Sequence, residues 1–155
     1  MPKLEVLKNK KLVLKNVLKR ELRDVEIEIL NQELEKFSLL IDKLNVQTFG
    51  PLVIKNEGIQ INGDGKMTAD YDLLIQAHDY KQYKGSFEII DRLEVPYCVY
   101  TRFNGLPADI QYAHTKLDLY FYENELESTG EIYSVILEES ENHTVVDLFK
   151  PVKIL

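Results

Sequence analysis

The segment Val145-Val146-Asp147-Leu148-Phe149 places one carboxylate inside an apolar run. Side chains alternate along a strand, so Asp147 shares a face with Val145 and Phe149. If that face meets the core, Asp147 is a buried acid that needs a partner and can pair with the cation of a ligand. If Val146 and Leu148 meet the core instead, Asp147 is a surface residue. Asp72, between Tyr71 and Leu73, poses the same question in the first half of the chain. Nine tyrosines in 155 residues supply candidate walls for such a site. Aromatic faces bind cations and hydroxyls fix polar groups, although tyrosine also serves β propensity and half-buried packing. The candidate ligand-binding set is Tyr100, Tyr112, Tyr120, Tyr133, Asp147 and Phe149.

Other chemistries find less support. His114 and Asp118 lie one helical turn apart, but zinc sites take three or four ligands, and His78 and His143 fall in unrelated segments, so an exposed ion pair is expected. Gly58-Ile59-Gln60-Ile61-Asn62-Gly63 is followed by Asp64 where a phosphate loop needs lysine, and reads as a hairpin. Cys98, flanked by Tyr97 and Val99, reads as an inert core thiol. Acid–base catalysis would fall to Asp147 with Tyr133. No metal and no cofactor are expected.

These residues must be positioned by two helices and several strands. From Arg23 to Asn45, the residues Ile27, Leu30, Leu34, Phe37, Ile41 and Leu44 recur at spacings of three and four, which predicts an amphipathic helix near 24–44. Glu26, Glu28, Glu33, Glu35, Lys36 and Asp42 fall largely off that stripe, as on a helix laid across a sheet. A second helix is predicted over 107–125, starting at Pro107, with Asp109 complementing the helix dipole. Its stripe is Ile110, Ala113, Leu117, Tyr120 and Phe121. Seven or eight β-type runs surround them: Leu12 to Leu18, Pro51 to Ile54, Tyr71 to Ala77, Phe87 to Ile90, Tyr97 to Phe103, Ile132 to Leu137 and Val145 to Phe149, with Ile59-Gln60-Ile61 before the turn at Asn62-Gly63-Asp64-Gly65. The polar stretch from His78 to Gly85 joins two halves of one sheet. The class is α+β.

Both halves run strand, helix, strand, turn, strand, which suggests duplication within a single domain, 1–155, with pseudo-repeats about 1–79 and 86–155. Superposing Thr48-Phe49-Gly50-Pro51 on Thr129-Gly130-Glu131 aligns Gly50 with Gly130. After a five-residue length difference, Tyr71-Asp72-Leu73-Leu74 falls on Val146-Asp147-Leu148-Phe149.

With that order of elements, the second half resembles the GyrI-like small-molecule-binding domain, the effector-binding domain of bacterial multidrug-responsive transcription activators. Phe87-Glu88-Ile89-Ile90 and Val95-Pro96-Tyr97-Cys98-Val99-Tyr100 are similar to its opening strands, and Phe103-Asn104-Gly105-Leu106-Pro107 to the glycine-marked start of its helix. Glu125 to Tyr133 resembles the helix exit and next strand, and Val145 to Val152 the closing strand. The resemblance covers residues 87–153. It implies duplicated β-α-β-β units forming one mostly antiparallel sheet with two helices on one face. It also implies an aromatic cavity between the halves, with a buried acid in the last strand that attracts cationic or polar organic molecules. The family's acid is typically glutamate, whereas Asp147 is one methylene shorter. Its tryptophan-containing variants, some of which hydrolyse small electrophiles, have no counterpart in a chain without Trp. No helix-turn-helix precedes the domain, so a stand-alone copy is expected.

Composition bounds the partners. The net charge of −7 opposes a phosphate backbone, so nucleic-acid binding is not expected. No apolar run approaches the roughly 20 residues that span a bilayer, and the N-terminal segment lacks a signal-peptide core. With one cysteine, the chain is expected to be cytoplasmic. Three functions compete: a module that senses or sequesters a small cationic or polar molecule, a protein-binding adaptor or accessory protein without a small ligand, and a weak hydrolase of small electrophiles on the same cavity. The partners considered are a small organic molecule, a protein partner and a second copy in a homodimer.

Overall fold

The computed structural model describes residues 4–154. Six strands and two helices follow one another as β1 (Val6–Glu26), α1 (Leu30–Lys43), β2 (Thr48–Ile61), β3 (Met67–Ala77), β4 (Glu88–Gly105), α2 (Gln111–Glu123), β5 (Ile132–Glu139) and β6 (Thr144–Pro151). Each half is a β-α-β-β unit. Every strand pairing is antiparallel, in the order β1-β3-β2-β5-β6-β4, and β4 pairs back onto β1 so that the sheet closes on itself.

Closure follows from long strands that twist and bend. β1 carries non-glycine residues of positive φ at Asn9, Asn16 and Asp24, and β4 carries one at Tyr97. Register shifts accompany those at Asn9, Tyr97 and Asp24, between Leu7 and Leu12 and between Leu22 and Val25. Such bulges add local twist and turn a flat sheet into a closed one. They also explain two departures from the sequence reading. β1 extends well beyond Leu12–Leu18, and the runs at Phe87–Ile90 and Tyr97–Phe103 are one strand, because the chain passes through Pro96 and Tyr97 without leaving the ladder. The count is therefore six strands. The helix predicted from 24 starts later: Val25 and Glu26 still pair with β3, and a 3-10 turn at Ile27–Ile29 precedes α1.

The two faces of the closed sheet have different fillings. On the outer face, Phe37 and Ile41 of α1 pack on Leu18, Leu73, Ala77 and Phe87. Ala113, Leu117 and Phe121 of α2 pack on Val99, Phe103, Val146 and Leu148 of the same face. Both predicted stripes supply these contacts, and burying each Phe or Leu contributes about 2–3 kcal/mol. The alternate residues point inward. Leu12, Leu14, Val17, Val53, Leu74, Tyr133 and Val135 form a separate cluster that neither helix enters, with Phe149 packed against it. The Asn62–Gly65 turn closes the β2–β3 hairpin, with Asn62 N–H donating to Lys66 O at 2.8 Å and Gly65 at φ 84°.

Candidate inner-face site

Strand register brings the two acids to matching places. β2 and β5 meet with Val53 opposite Val135 and Lys55 opposite Tyr133. Positive φ at Asn45 and Gly50 in the first half and at Glu125 and Gly130 in the second aligns the halves so that Val53 is the counterpart of Tyr133 and Lys55 that of Val135. On β3, Asp72 lies between Lys55 and Glu21; on β6, Asp147 lies between Val135 and Arg102. Asp72 and Asp147 are thus equivalent, as are Leu74 and Phe149, Lys19 and Tyr100, and Glu21 and Arg102. The two alternatives for Asp147 prove not to exclude each other. β6 is covered on both sides, by α2 against Val146 and Leu148 and by the inner layer beside Phe149, and Asp147 is buried.

Asp147 is fully partnered. Arg102 Nε donates to its Oδ1 at 2.7 Å and Arg102 Nη2 to its Oδ2 at 3.0 Å, while the Tyr100 hydroxyl donates to Oδ1 at 2.8 Å. The acid side chain is 12% exposed and the arginine 54%. Burial, followed by the bond to Asp147, raises the Tyr100 pKa. The hydrogen bond to Asp147, reinforced by its charge, raises that of Arg102. The Tyr100 and Phe149 rings stack at 5.0 Å with a 47° tilt and form an apolar wall beside the carboxylate.

Asp72 is held differently. Its side chain is 2% exposed, with Lys19 Nζ at 3.5 Å, Lys55 Nζ at 3.7 Å and Arg23 Nη1 at 3.1 Å. Oδ1 is in charge contact with Arg23 yet has no aligned hydrogen bond. Lys55 also pairs with Glu131 at 2.6 Å and lies over the Tyr133 ring at 5.9 Å. Burial works against the Lys19 ammonium, but its bond to Glu21 and the charges of Asp72 and Glu88 more than offset that and raise its pKa. Burial pushes the Tyr133 phenol up to about 12.

Of the six candidates, Tyr100, Tyr133, Asp147 and Phe149 share the inner layer. Tyr112 and Tyr120 do not join them. Both belong to α2 on the outer face, where Tyr112 is 60% exposed. Tyr120 lines an outer cleft of about 340 Å³ with Tyr97, Asn124 and Val152. The helix stripe that buries Ala113, Leu117 and Phe121 carries Tyr120 to the far side of the sheet from Asp147. Arg102, Lys19, Arg23 and Lys55 were missed. Alternation along Tyr100-Thr101-Arg102 would have placed Arg102 on the face of Tyr100. Cys98 is buried and its thiol pushed up to about 11, which leaves it a core residue. Asp118 pairs with Lys150 rather than His114.

No family model and no curated protein matches the chain. Solved structures do. The C-terminal domain of EcmrR superposes with a TM-score of 0.66 at 10% identity, covering 99% of this chain and 98% of that one. A hydrolase from Listeria innocua gives 0.53 at 12%, with 97% and 92% covered. SAV2435 bound to tetraphenylphosphonium gives 0.50 at 11%, with 98% and 94% covered. These neighbours are consistent with a GyrI-like fold. At such identities the likeness is one of fold. Among the described residues, no helix is long and apolar enough to cross a membrane.

Proposed function

We propose that this chain is a GyrI-like small-molecule-binding module that senses or sequesters cationic or polar aromatic compounds on the inner face of its closed sheet. Asp147 is the acid of the site, and Tyr100, Tyr133 and Phe149 are its walls. The observation that carries this reading is a mostly buried carboxylate set beside stacked aromatic rings and neutralised by a half-exposed cation. A carboxylate taken out of water costs several kcal/mol unless donors or a cation compensate it, so the place of Arg102 is one that a ligand cation can take. Two neighbours of the fold support it: a structure bound to tetraphenylphosphonium, a hydrophobic organic cation, and a domain of a protein that also has a structure on DNA. The geometry favours no hydrolytic use of Asp147. Its charge is engaged by Arg102, and the residue opposite it on β5 is Val135, with Tyr133 opposite Phe149 instead.

The test is a calorimetric screen of hydrophobic organic cations and neutral analogues of equal size against wild type and Asp147→Asn. Binding of cations by wild type, lost or no longer selective over the neutral analogues in the variant, is the expected result. If no compound binds either protein, the small-molecule reading is replaced by that of an adaptor for a protein partner.

A further inference from the structure

Building on that reading of the inner face, we infer that Arg102 is a resident competitor for the ligand's place on Asp147, and that the site selects planar cations with an N–H fork, an amidinium or guanidinium carried on an aromatic ring. Three features carry the inference. Arg102 presents Nε and Nη2 to the two carboxylate oxygens as a fork, and Tyr100 completes the set on Oδ1. Every oxygen of the buried acid is thus satisfied by N–H or O–H donors, and a replacement cation without N–H groups would leave Oδ2 bare and Oδ1 with Tyr100 alone, which is costly for a desolvated carboxylate. The fork geometry that fits a carboxylate belongs to guanidinium and amidinium and not to an ammonium point charge.

The second feature is asymmetry within the pair. Asp147 is fixed on a strand paired on both sides, whereas the Arg102 side chain is 54% exposed and can swing into water. The partner that leaves is therefore Arg102. The third is the contrast with Asp72. Its lysine partners are each less than one-fifth exposed and tied to other carboxylates as well, and Arg23, although 42% exposed, is also held by Glu21 and by the Tyr71 carbonyl. They cannot be traded for a ligand. Next to the exchangeable pair, the Tyr100 and Phe149 rings offer a surface for the ligand's aromatic body.

A tethered competitor lowers apparent affinity in proportion to the fraction of time the site is open. Removing it by Arg102→Ala should raise the affinity for benzamidine by about ten- to a hundredfold. Arg102→Lys, which retains a counter-charge without the fork, should give a smaller gain and provides a second readout if the alanine variant folds poorly. The gain should vanish in Arg102→Ala/Asp147→Asn. Tetraphenylphosphonium, which has no N–H donor, should gain several-fold less than benzamidine. Titration calorimetry on the full chain reads all four. Equal gains for the two cations, no gain for benzamidine, or a gain that survives Asp147→Asn would each overturn the inference. If tetraphenylphosphonium binds wild type through Asp147 while benzamidine never gains, the binding-module reading stands without the fork. If neither cation binds any variant, both fall.

Discussion

Asp72 and Asp147 occupy matching positions of β3 and β6, yet Asp72 is ringed by Lys19, Arg23 and Lys55 while Asp147 meets one guanidinium and one phenol. The pairing register around them is the same, and the lining differs position by position. Lys19 stands where the second half has Tyr100, Lys55 where it has Val135, and Glu21 where it has Arg102. The first half contains a dense charge network whose members hold one another. The second has an aromatic wall and a single counterion that faces water. Two β-α-β-β units of matching register can thus hold a polar core at one acid and a single half-exposed counterion at the other.

The sharpest way to break this comparison is to remove each acid in turn. Asp72→Ala should cost about 3 kcal/mol, because it leaves two mostly buried lysines and Arg23 facing a void without their common anion. Asp147→Ala should cost about 1 kcal/mol, since Arg102 can turn into solvent. Urea denaturation of both variants measures the difference. Equal costs would mean that the two acids are held alike.

The architecture was legible because the helix stripes are long and periodic and the turn at Asn62–Gly65 has glycine where positive φ is needed. The match of Tyr71–Leu74 to Val146–Phe149 was legible for the same local reason, and it pairs residues that the strand register makes equivalent. The site was only half legible. A stripe of apolar residues says that Tyr120 faces a sheet, but not which of its faces lies beyond, so a helix tyrosine was grouped with an acid on the opposite side. The counterions escaped for another reason: Lys19, Lys55 and Arg102 look like solvated charges until closure of the sheet brings their strands beside the acids. Closure itself depends on bulges near Asn9, Asp24 and Tyr97, which follow no period that a window of sequence reveals.

A second test exploits Tyr133, whose counterpart Val53 cannot ionise. Its folded pKa, about 12 because of burial, lies above the ordinary value near 10. As pH rises from about 10, the unfolded chain loses this proton first, so stability falls until about pH 12 and then levels off. A difference of that size corresponds to a loss of about 2–3 kcal/mol. Buried Cys98, raised to about 11, adds to the same slope, so the comparison must be with Tyr133→Phe rather than with theory. That variant should show a shallower decline of denaturation midpoint between pH 9 and 11. Identical slopes would mean that the phenol is as free to ionise in the folded inner layer as in water.

The smallest expected difference lies where each half leads into its second strand. Gly50 and Gly130 both adopt positive φ, 73° and 92°, so alanine at either position incurs about 1 kcal/mol of backbone strain. Their surroundings differ. A Cβ on Gly130 would meet nothing within 4 Å, but one on Gly50 would lie 2.9 Å from Nε2 of Gln76. Gln76 Oε1 accepts a hydrogen bond from the Lys15 amide at 2.8 Å, so displacing that side chain also frees a backbone donor next to Asn16. Because the bond is exposed, water replaces most of it, and Gly50→Ala should be less stable than Gly130→Ala by only about 0.5 kcal/mol. Hydrogen exchange locates the effect better than a melting curve: the Lys15 amide should exchange faster in Gly50→Ala and unchanged in Gly130→Ala. Unchanged exchange in both would show that Gln76 yields without releasing Lys15, and that the two halves are equivalent at this corner as they are not at their acids.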